Sequence, residues 1–364
     1  MKLIQISDLH IDSKMETNFT SSMAKERNNE ILVTLEKLFT IMQNENYQAM
    51  LIVGDMFDTK KMTSKSFNYV MDLISKNNNK QFFYVAGNHD SETDLILNSQ
   101  NIPNNLKIFD TSFQTFKLSE KINISGIQLT SSNASNIGTK ISLNSDEINI
   151  MMLHASLTKQ SNRVDNENVY ISELKNKNID YLALGHIHSY SSGKIDDRCT
   201  YAYSGCLEPR GFDEFGDKGY ISIEIDELNN KVSHKFIKFS SRTFISINVD
   251  ISELETTRQI LEKIYENTVN ISTNNLLKIT LIGTYSENTI KGLDLIQTEL
   301  SSKFYYVKLV DNTKLKISLD DYNGNFSLKG IFIKKVLESK KIPEELKDEV
   351  IMTGIKALEQ EDID

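Results

Sequence analysis

The chain has 364 residues, 39% hydrophobic and 25% charged, with a formal net charge of −9. That composition is ordinary for globular domains, two or three by length, and the acidic balance argues against a free-standing tight nucleic-acid binder, whose field would have to attract a phosphate polymer. Two cysteines, Cys199 and Cys206, exclude a disulfide framework and a thiolate metal site; no apolar run approaches a membrane span and no export leader is recognised, so a reducing cytoplasm is the expected compartment.

Over residues 1–190 short apolar runs alternate with amphipathic stretches. KLIQIS (2–7) predicts a strand ending in a polar loop. RNNEILVTLEKLFTIMQNEN (27–46) predicts a helix, apolar at Ile31, Leu35, Leu38 and Met42. AMLIVGD (49–55) predicts a buried strand, SFNYVMDLISKNN (66–78) a helix, and QFFYVAGNHD (81–90) another buried strand. INIMMLHAS (148–156) and IDYLALGHIH (179–188) repeat the form, and the alternation predicts an α/β domain. From about 192 to 240, TYAYSG, GYISIEID and KVSHKFIKF predict successive strands joined by Gly- or Asn-containing turns. RTFISINVDI (242–251) opens a further unit of strands at 276–283 and 305–310 and helices at 256–268 and 292–302, a small α/β module over about 241–318. Residues 319–364 predict helices. In the first of them Phe326, Leu328, Ile331, Phe332, Ile333, Val336 and Leu337 form a broad apolar surface; in the second Leu346, Val350, Ile351, Ile355 and Leu358 form one stripe. Packing on their own domain and docking on a partner both account for these surfaces.

Five apolar runs end in polar signatures: SDLH (7–10), GDMFD (54–58), GNHD (87–90), LHAS (153–156) and GHIH (185–188). They contain five of the six histidines. Side chains at the carboxyl ends of strands in α/β sheets converge on a ligand crevice, and His186 and His188, two apart, can aim at one point. Asp8, His10, Asp55, Asn88, His154, His186 and His188 offer nitrogen and oxygen donors without thiolate, a set that favours Mn²⁺, Fe or Zn²⁺. Seven donors exceed one tetrahedral ion and suit two adjacent divalent ions with Asp55 as a bridge. Two cations about 3.5–4 Å apart stabilise the attacking and leaving oxygens of an in-line phosphoryl displacement. His89, between Asn88 and Asp90, is expected to face the scissile phosphate, its imidazolium held by Asp90, to stabilise charge or protonate the leaving oxygen.

In this order the signatures D-x-H, G-D-x-x-D, G-N-H-D, an isolated H before a small residue and G-H-x-H resemble the calcineurin-like metallophosphoesterase superfamily over about residues 1–240. The resemblance implies a two-sheet sandwich flanked by helices, followed by a small α/β capping domain (241–318) and a helical tail (319–364). It assigns Asp8, His10, Asp55 and His188 to one ion, Asp55, Asn88, His154 and His186 to the other, and the catalytic role to His89. GDMFDTK and GNHD depart from the G-D-x-x-D-R-G and G-N-H-E of protein serine/threonine phosphatases. DLHIDS (8–13), DYLALGHIH (180–188), YSGCLEPRGFDEFGDKGY (203–220), FSLKGIFIKKVLES (326–339) and GIKALEQ (354–360) resemble the bacterial SbcD and YhaO-type DNA repair nucleases, relatives of the meiotic recombination nuclease subunit. Asp58 stands where archaeal and eukaryotic relatives often carry His, so no role of that His transfers. The resemblance implies a Mn²⁺-dependent DNA exonuclease/endonuclease subunit whose tail docks on an SMC-like coiled-coil ATPase of SbcC/YhaN type, the partner supplying DNA affinity; a homodimer stays open. The alternatives are a metallophosphoesterase acting on a small phosphodiester such as a cyclic nucleotide, and a scaffold that has lost its metal.

Overall fold

A computed structural model describes residues 1–15, 19–58, 62–90, 102–130, 133–159, 168–286, 289–316 and 327–359, which fall into two compact units, Met1–Thr243 and Phe244–Asp364.

The first unit is the expected sandwich of two six-stranded mixed sheets. One sheet runs Lys231–Lys238, Gly219–Asp226, Lys2–Ile6, Ala49–Val53, Gln81–Val85, Leu106–Phe109. The other runs Ser191–Lys194, Thr200–Tyr203, Tyr181–Gly185, Ile148–His154, Ile122–Gly126, Gln114–Lys117. Lys2–Ile6, Ala49–Val53 and Gln81–Val85 are mutually parallel, as are Ile148–His154 and Tyr181–Gly185, so the polar signatures follow the carboxyl ends of five central strands. Strand Ile148–His154 is buried throughout because alternate side chains serve different cores. Ile148, Ile150 and Met152 enter the cluster between the sheets with Leu51, Val53 and Phe83. Met151 and Leu153 enter a second cluster with Leu182 and Leu184 on the outer face. Between the sheets one polar side chain is fully engaged: Gln5 Nε2 donates to the carbonyls of Leu184 (3.1 Å) and Ala202 (2.9 Å), and Gln5 Oε1 accepts from Tyr181 Oη at 2.6 Å. A buried amide so satisfied fixes register instead of costing stability.

Helices Ser21–Asn44 and Ser64–Lys76 bury apolar stripes, including Phe39, whose ring stacks on Phe82 at 5.4 Å. The first begins six residues before the apolar periodicity of 27–46, because Thr20 caps it by accepting the Met23 N–H. In the second unit Phe244–Asp250, Leu276–Ile282 and Tyr306–Asp311 form a parallel sheet packed by helices Thr257–Thr268 and Leu293–Lys303. Helices Leu328–Glu338 and Glu344–Glu359 pack on each other through Ile333, Val336, Ile351 and Ile355, together with Leu315 of the same unit. Leu328 (71%), Ile331 (44%) and Leu346 (44%) stay exposed. Phe326, with the rest of 319–326 and residues 360–364, lies outside the described residues. Among the described residues no helix is long and apolar enough to cross a membrane.

Candidate metal centre

The loops leaving the central strands turn sharply inward. Asp8, His10, Asp55 and His186 all adopt positive φ (54°, 46°, 51° and 93°). Such backbone costs a non-glycine residue on the order of 1–3 kcal/mol and persists only where surrounding structure enforces it. Here the loops brace one another: Asp8 N–H donates to Gly54 O (3.1 Å), His10 N–H to Asp55 O (2.9 Å) and Ile11 N–H to Met56 O (3.0 Å). Gly54 itself has φ +78°, and a Cβ there would lie 2.1 Å from His154 Nδ1. Only glycine lets the His154 ring lie over that turn, where its Nδ1 meets Val53 O at 3.0 Å.

The side chains converge as the strand ends predict. His10 Nε2 lies 3.4 Å from His188 Nε2 and 3.5 Å from Asp55 Oδ2. His188 Nε2 lies 3.8 Å from Asp8 Oδ1. His154 Nε2 lies 3.3 Å from Asp55 Oδ2 and 3.2 Å from Asn88 Oδ1. Among the described residues, donor atoms of Asp8, His10 and His188 lie within 4.8 Å of one another, as do those of Asp8, Asp55 and His154, and of His10, Asp55 and His89. Asp8, His10 and Asp55 each belong to two of these groups, so the groups merge into one continuous cluster. His186 joins none of them; its ring meets His154 edge-on at 5.4 Å, and its backbone N–H donates to Asp8 Oδ1 at 3.0 Å.

The electrostatics fit divalent cations. Asp8 and Asp55 are buried together with His10 and His154. Burial, and then the charge of Arg210, pulls the His10 pKa down to about 2, so its ring is neutral with a lone pair to offer. Its Nδ1 is buried with no hydrogen-bond partner in the described structure. Burial also pulls on His154, but the hydrogen bond and charge of Asp55, then the charge of Asp8, overcome it and lift the pKa to about 9. Asp55 is held below the usual carboxylate range, because His154, His10 and the His89 N–H outweigh the upward push of burial. Burial raises the Asp8 pKa despite the nearby histidines. Two buried carboxylates facing three imidazoles, without a thiolate, make a donor set that Mn²⁺, Fe or Zn²⁺ suits.

His89 lies at the open side, with 46% of its side chain exposed. Its backbone N–H donates to Asp55 Oδ1 at 2.9 Å and its ring meets His10 edge-on at 4.8 Å. Asp90, expected to hold the His89 ring, has backbone partners on the neighbouring loop. The buried Asp90 carboxylate accepts the N–H groups of Met56 (2.9 Å) and Phe57 (2.9 Å), tying the GNHD loop to the GDMFD loop. Among the described residues, Asp58 brings a carboxylate within ion-pair reach of the His89 ring, with Oδ1 3.9 Å from Nδ1. A second group escaped the sequence reading: Glu214 Oε1 lies 2.7 Å from His188 Nδ1 and is paired with Arg210 at 2.8 Å.

Comparison with known proteins adds three findings. A family model described as calcineurin-like phosphoesterase matches residues 1–190. The DNA double-strand break repair protein Mre11 of Sulfolobus acidocaldarius is 24% identical over 332 residues, spanning 85% of this chain and 81% of its own. Among solved structures, a dimetal phosphatase from Danio rerio aligns with 62% of this chain and 93% of its own (10% identity, TM-score 0.39), and TT1561 of Thermus thermophilus with 65% and 98% (11% identity, TM-score 0.41).

Proposed function

The chain belongs to the calcineurin-like phosphoesterase family, and from that premise we propose that it is a metal-dependent nuclease that hydrolyses DNA phosphodiester bonds. The observation that carries the reading is the convergence of histidine, aspartate and asparagine donors from five strand ends on one crevice, with Asp8, His10 and Asp55 each shared between groups. Asp8, His10, Asp55 and His188 would hold one divalent ion, and Asp55, Asn88, His154 and His186 the other, with Mn²⁺ the preferred occupant. Such ions supply Lewis-acid stabilisation of phosphate charge and activation of water.

The chain's own residues do the rest. His89 is exposed toward an incoming phosphate and tied through its backbone to Asp55. From there its ring donates a hydrogen bond to a phosphate oxygen or a proton to the leaving oxygen, with Asp58 Oδ1 3.9 Å from its Nδ1. DNA as substrate is supported by the 24% identical repair protein, whose match extends well beyond the phosphoesterase region. We assign the nuclease to residues 1–240, a capping, DNA-facing role to 241–318, and partner binding to 319–364. The partner is an SMC-like coiled-coil ATPase of SbcC/YhaN type, acting with this chain in the cytoplasm. A net charge of −9 leaves a need for DNA affinity that such a partner meets, and Leu328 and Ile331 offer it an apolar contact.

The test is Mn²⁺-dependent hydrolysis of linear DNA, a model aryl phosphodiester and cyclic nucleotides by the same preparation. The proposal expects the aryl diester to be cleaved by the chain alone and DNA to be degraded efficiently with the ATPase present, both stopping on chelation. Efficient cyclic-nucleotide hydrolysis with DNA untouched under every condition would move the assignment to a small phosphodiester.

A further inference from the structure

Behind His188 lies a buried ionic cluster that meets this donor's Nδ1, the ring nitrogen turned away from Asp8 and His10. Glu214 Oε1 lies 2.7 Å from His188 Nδ1, and the same oxygen accepts from Arg210 Nη2 at 2.8 Å. Glu214 Oε2 accepts the Arg210 backbone N–H at 2.6 Å. Lys218, 1% exposed, donates Nζ–H to the His188 carbonyl at 2.7 Å, so the backbone of this residue is held as well as its ring. The loop is anchored further back: Arg27 Nη2 donates to Pro209 O at 2.8 Å, while Glu208 Oε1 accepts from Thr34 Oγ1 at 2.6 Å and from Ser241 N–H at 2.5 Å.

An acceptor and a donor compete for His188 Nδ1: the Glu214 carboxylate and the Arg210 guanidinium. Arg210 Nη2 lies only 3.1 Å from that nitrogen, close enough to donate to it if it carried a lone pair. A neutral imidazole has one N–H and one lone pair, so the partner of Nδ1 decides what Nε2 presents. With Nδ1–H donated to Glu214, Nε2 presents a lone pair toward Asp8 Oδ1 (3.8 Å) and His10 Nε2 (3.4 Å). With Arg210 donating to Nδ1, Nε2 carries a proton that points at the place a cation must take. Glu214 is the acid within ion-pair reach of Arg210 in the described structure, so its loss would leave His188 Nδ1 as the nearby acceptor for that guanidinium.

We propose that Glu214 is a positioning residue that fixes His188 in its metal-competent tautomer by occupying Arg210 and accepting Nδ1–H. This rests on the reading of His188 as a metal ligand and extends it to a residue outside the donor set. Partners of this kind orient metal-bound histidines, and losing one typically costs about 10–100-fold in metal affinity.

The experiment titrates Mn²⁺ alone into the metal-free full chain and its variants by calorimetry. It also reads the His188 tautomer from ¹⁵N shifts of the labelled metal-free protein. Glu214→Ala should weaken Mn²⁺ binding about 10–100-fold and move the ring proton to Nε2. Removing the competing donor as well, in Glu214→Ala/Arg210→Ala, should restore most of the affinity; relief of an unpaired buried charge would do the same, so the ring-proton shift in Glu214→Ala is the readout that a merely structural role does not move. The unaltered protein supplies a variant-free reading if Glu214→Ala does not fold: Nδ1–H is expected, and Nε2–H overturns the proposal. It is equally overturned if the double variant binds no tighter than the single one, or if Glu214→Ala folds and binds normally. His188→Ala separates the two levels. Normal Mn²⁺ binding by that variant defeats the metal-ligand reading itself, whereas weakened binding beside an unaffected Glu214→Ala defeats only the role of Glu214.

Discussion

At the scale of single residues, the convergence of Asp8, His10, Asp55, His154 and His188 was legible because each lies within a few residues of the end of an apolar run, and a strand end fixes where such a residue emerges. Direction within a loop was not legible. Asp90 is adjacent to His89 in the chain, yet its carboxylate turns to the Met56 and Phe57 N–H groups, and Asp58, from another loop, faces the ring. Glu214 was hidden for a related reason, since its contact with His188 spans 26 residues and leaves no local pattern. The two aspartates should therefore separate in behaviour. Asp90→Asn replaces one carboxylate oxygen by an amide facing a buried N–H, and should lower unfolding stability by about 1–3 kcal/mol. Asp58→Asn, on a partly exposed side chain, should leave the denaturation midpoint nearly unchanged and lower turnover. Matching melting losses in both would make Asp58 a structural tie like Asp90. His89→Ala should cut cleavage roughly 10²–10⁴-fold with metal content intact. Asn88→Ala should lose metal together with rate. Near-normal turnover by His89→Ala would make that histidine a structural tie of its loop.

Among elements, buried strands were the easiest to read, because a run such as IMMLHA can be satisfied only with apolar neighbours on both faces. Helix starts were harder, as at Thr20, where a cap extends the helix across residues with little apolar periodicity. In the tail the sequence left packing and docking both open, and the structure shows the packing while leaving a second apolar face exposed. Ile333, Val336, Ile351 and Ile355 pack inward, while Leu328 and Ile331, one helical turn apart, stay 71% and 44% exposed. Leu328→Glu/Ile331→Glu should therefore keep stability within about 0.5 kcal/mol per site, as exposed substitutions do. The same variant should abolish co-purification of the coiled-coil ATPase. Ile333→Glu, by contrast, should disrupt the helix pair. An unchanged complex in the double variant would leave the exposed face without its proposed partner.

For the whole molecule, the alternation of strand and helix announced an α/β fold, and the motif order announced the sandwich. The assignment of strands to sheets could not be read from local pattern. Gly219–Asp226 pairs antiparallel with Lys2–Ile6, more than 200 residues earlier, and that pairing places the loop carrying Glu214 beside the metal crevice. The acidic balance bears on the same scale: a charge of −9 opposes long DNA, while the buried donors favour local cations. The central claim is thus a centre that holds two ions in a chain whose overall field does not attract its substrate. Elemental analysis of the full chain, reconstituted with Mn²⁺ and freed of excess metal, tests it most directly. The account predicts close to two Mn²⁺ per chain, with less in both His188→Ala and His186→Ala and an unaltered content in His89→Ala. A full complement in both histidine ligand variants, or no retained metal in the unaltered chain, would contradict it.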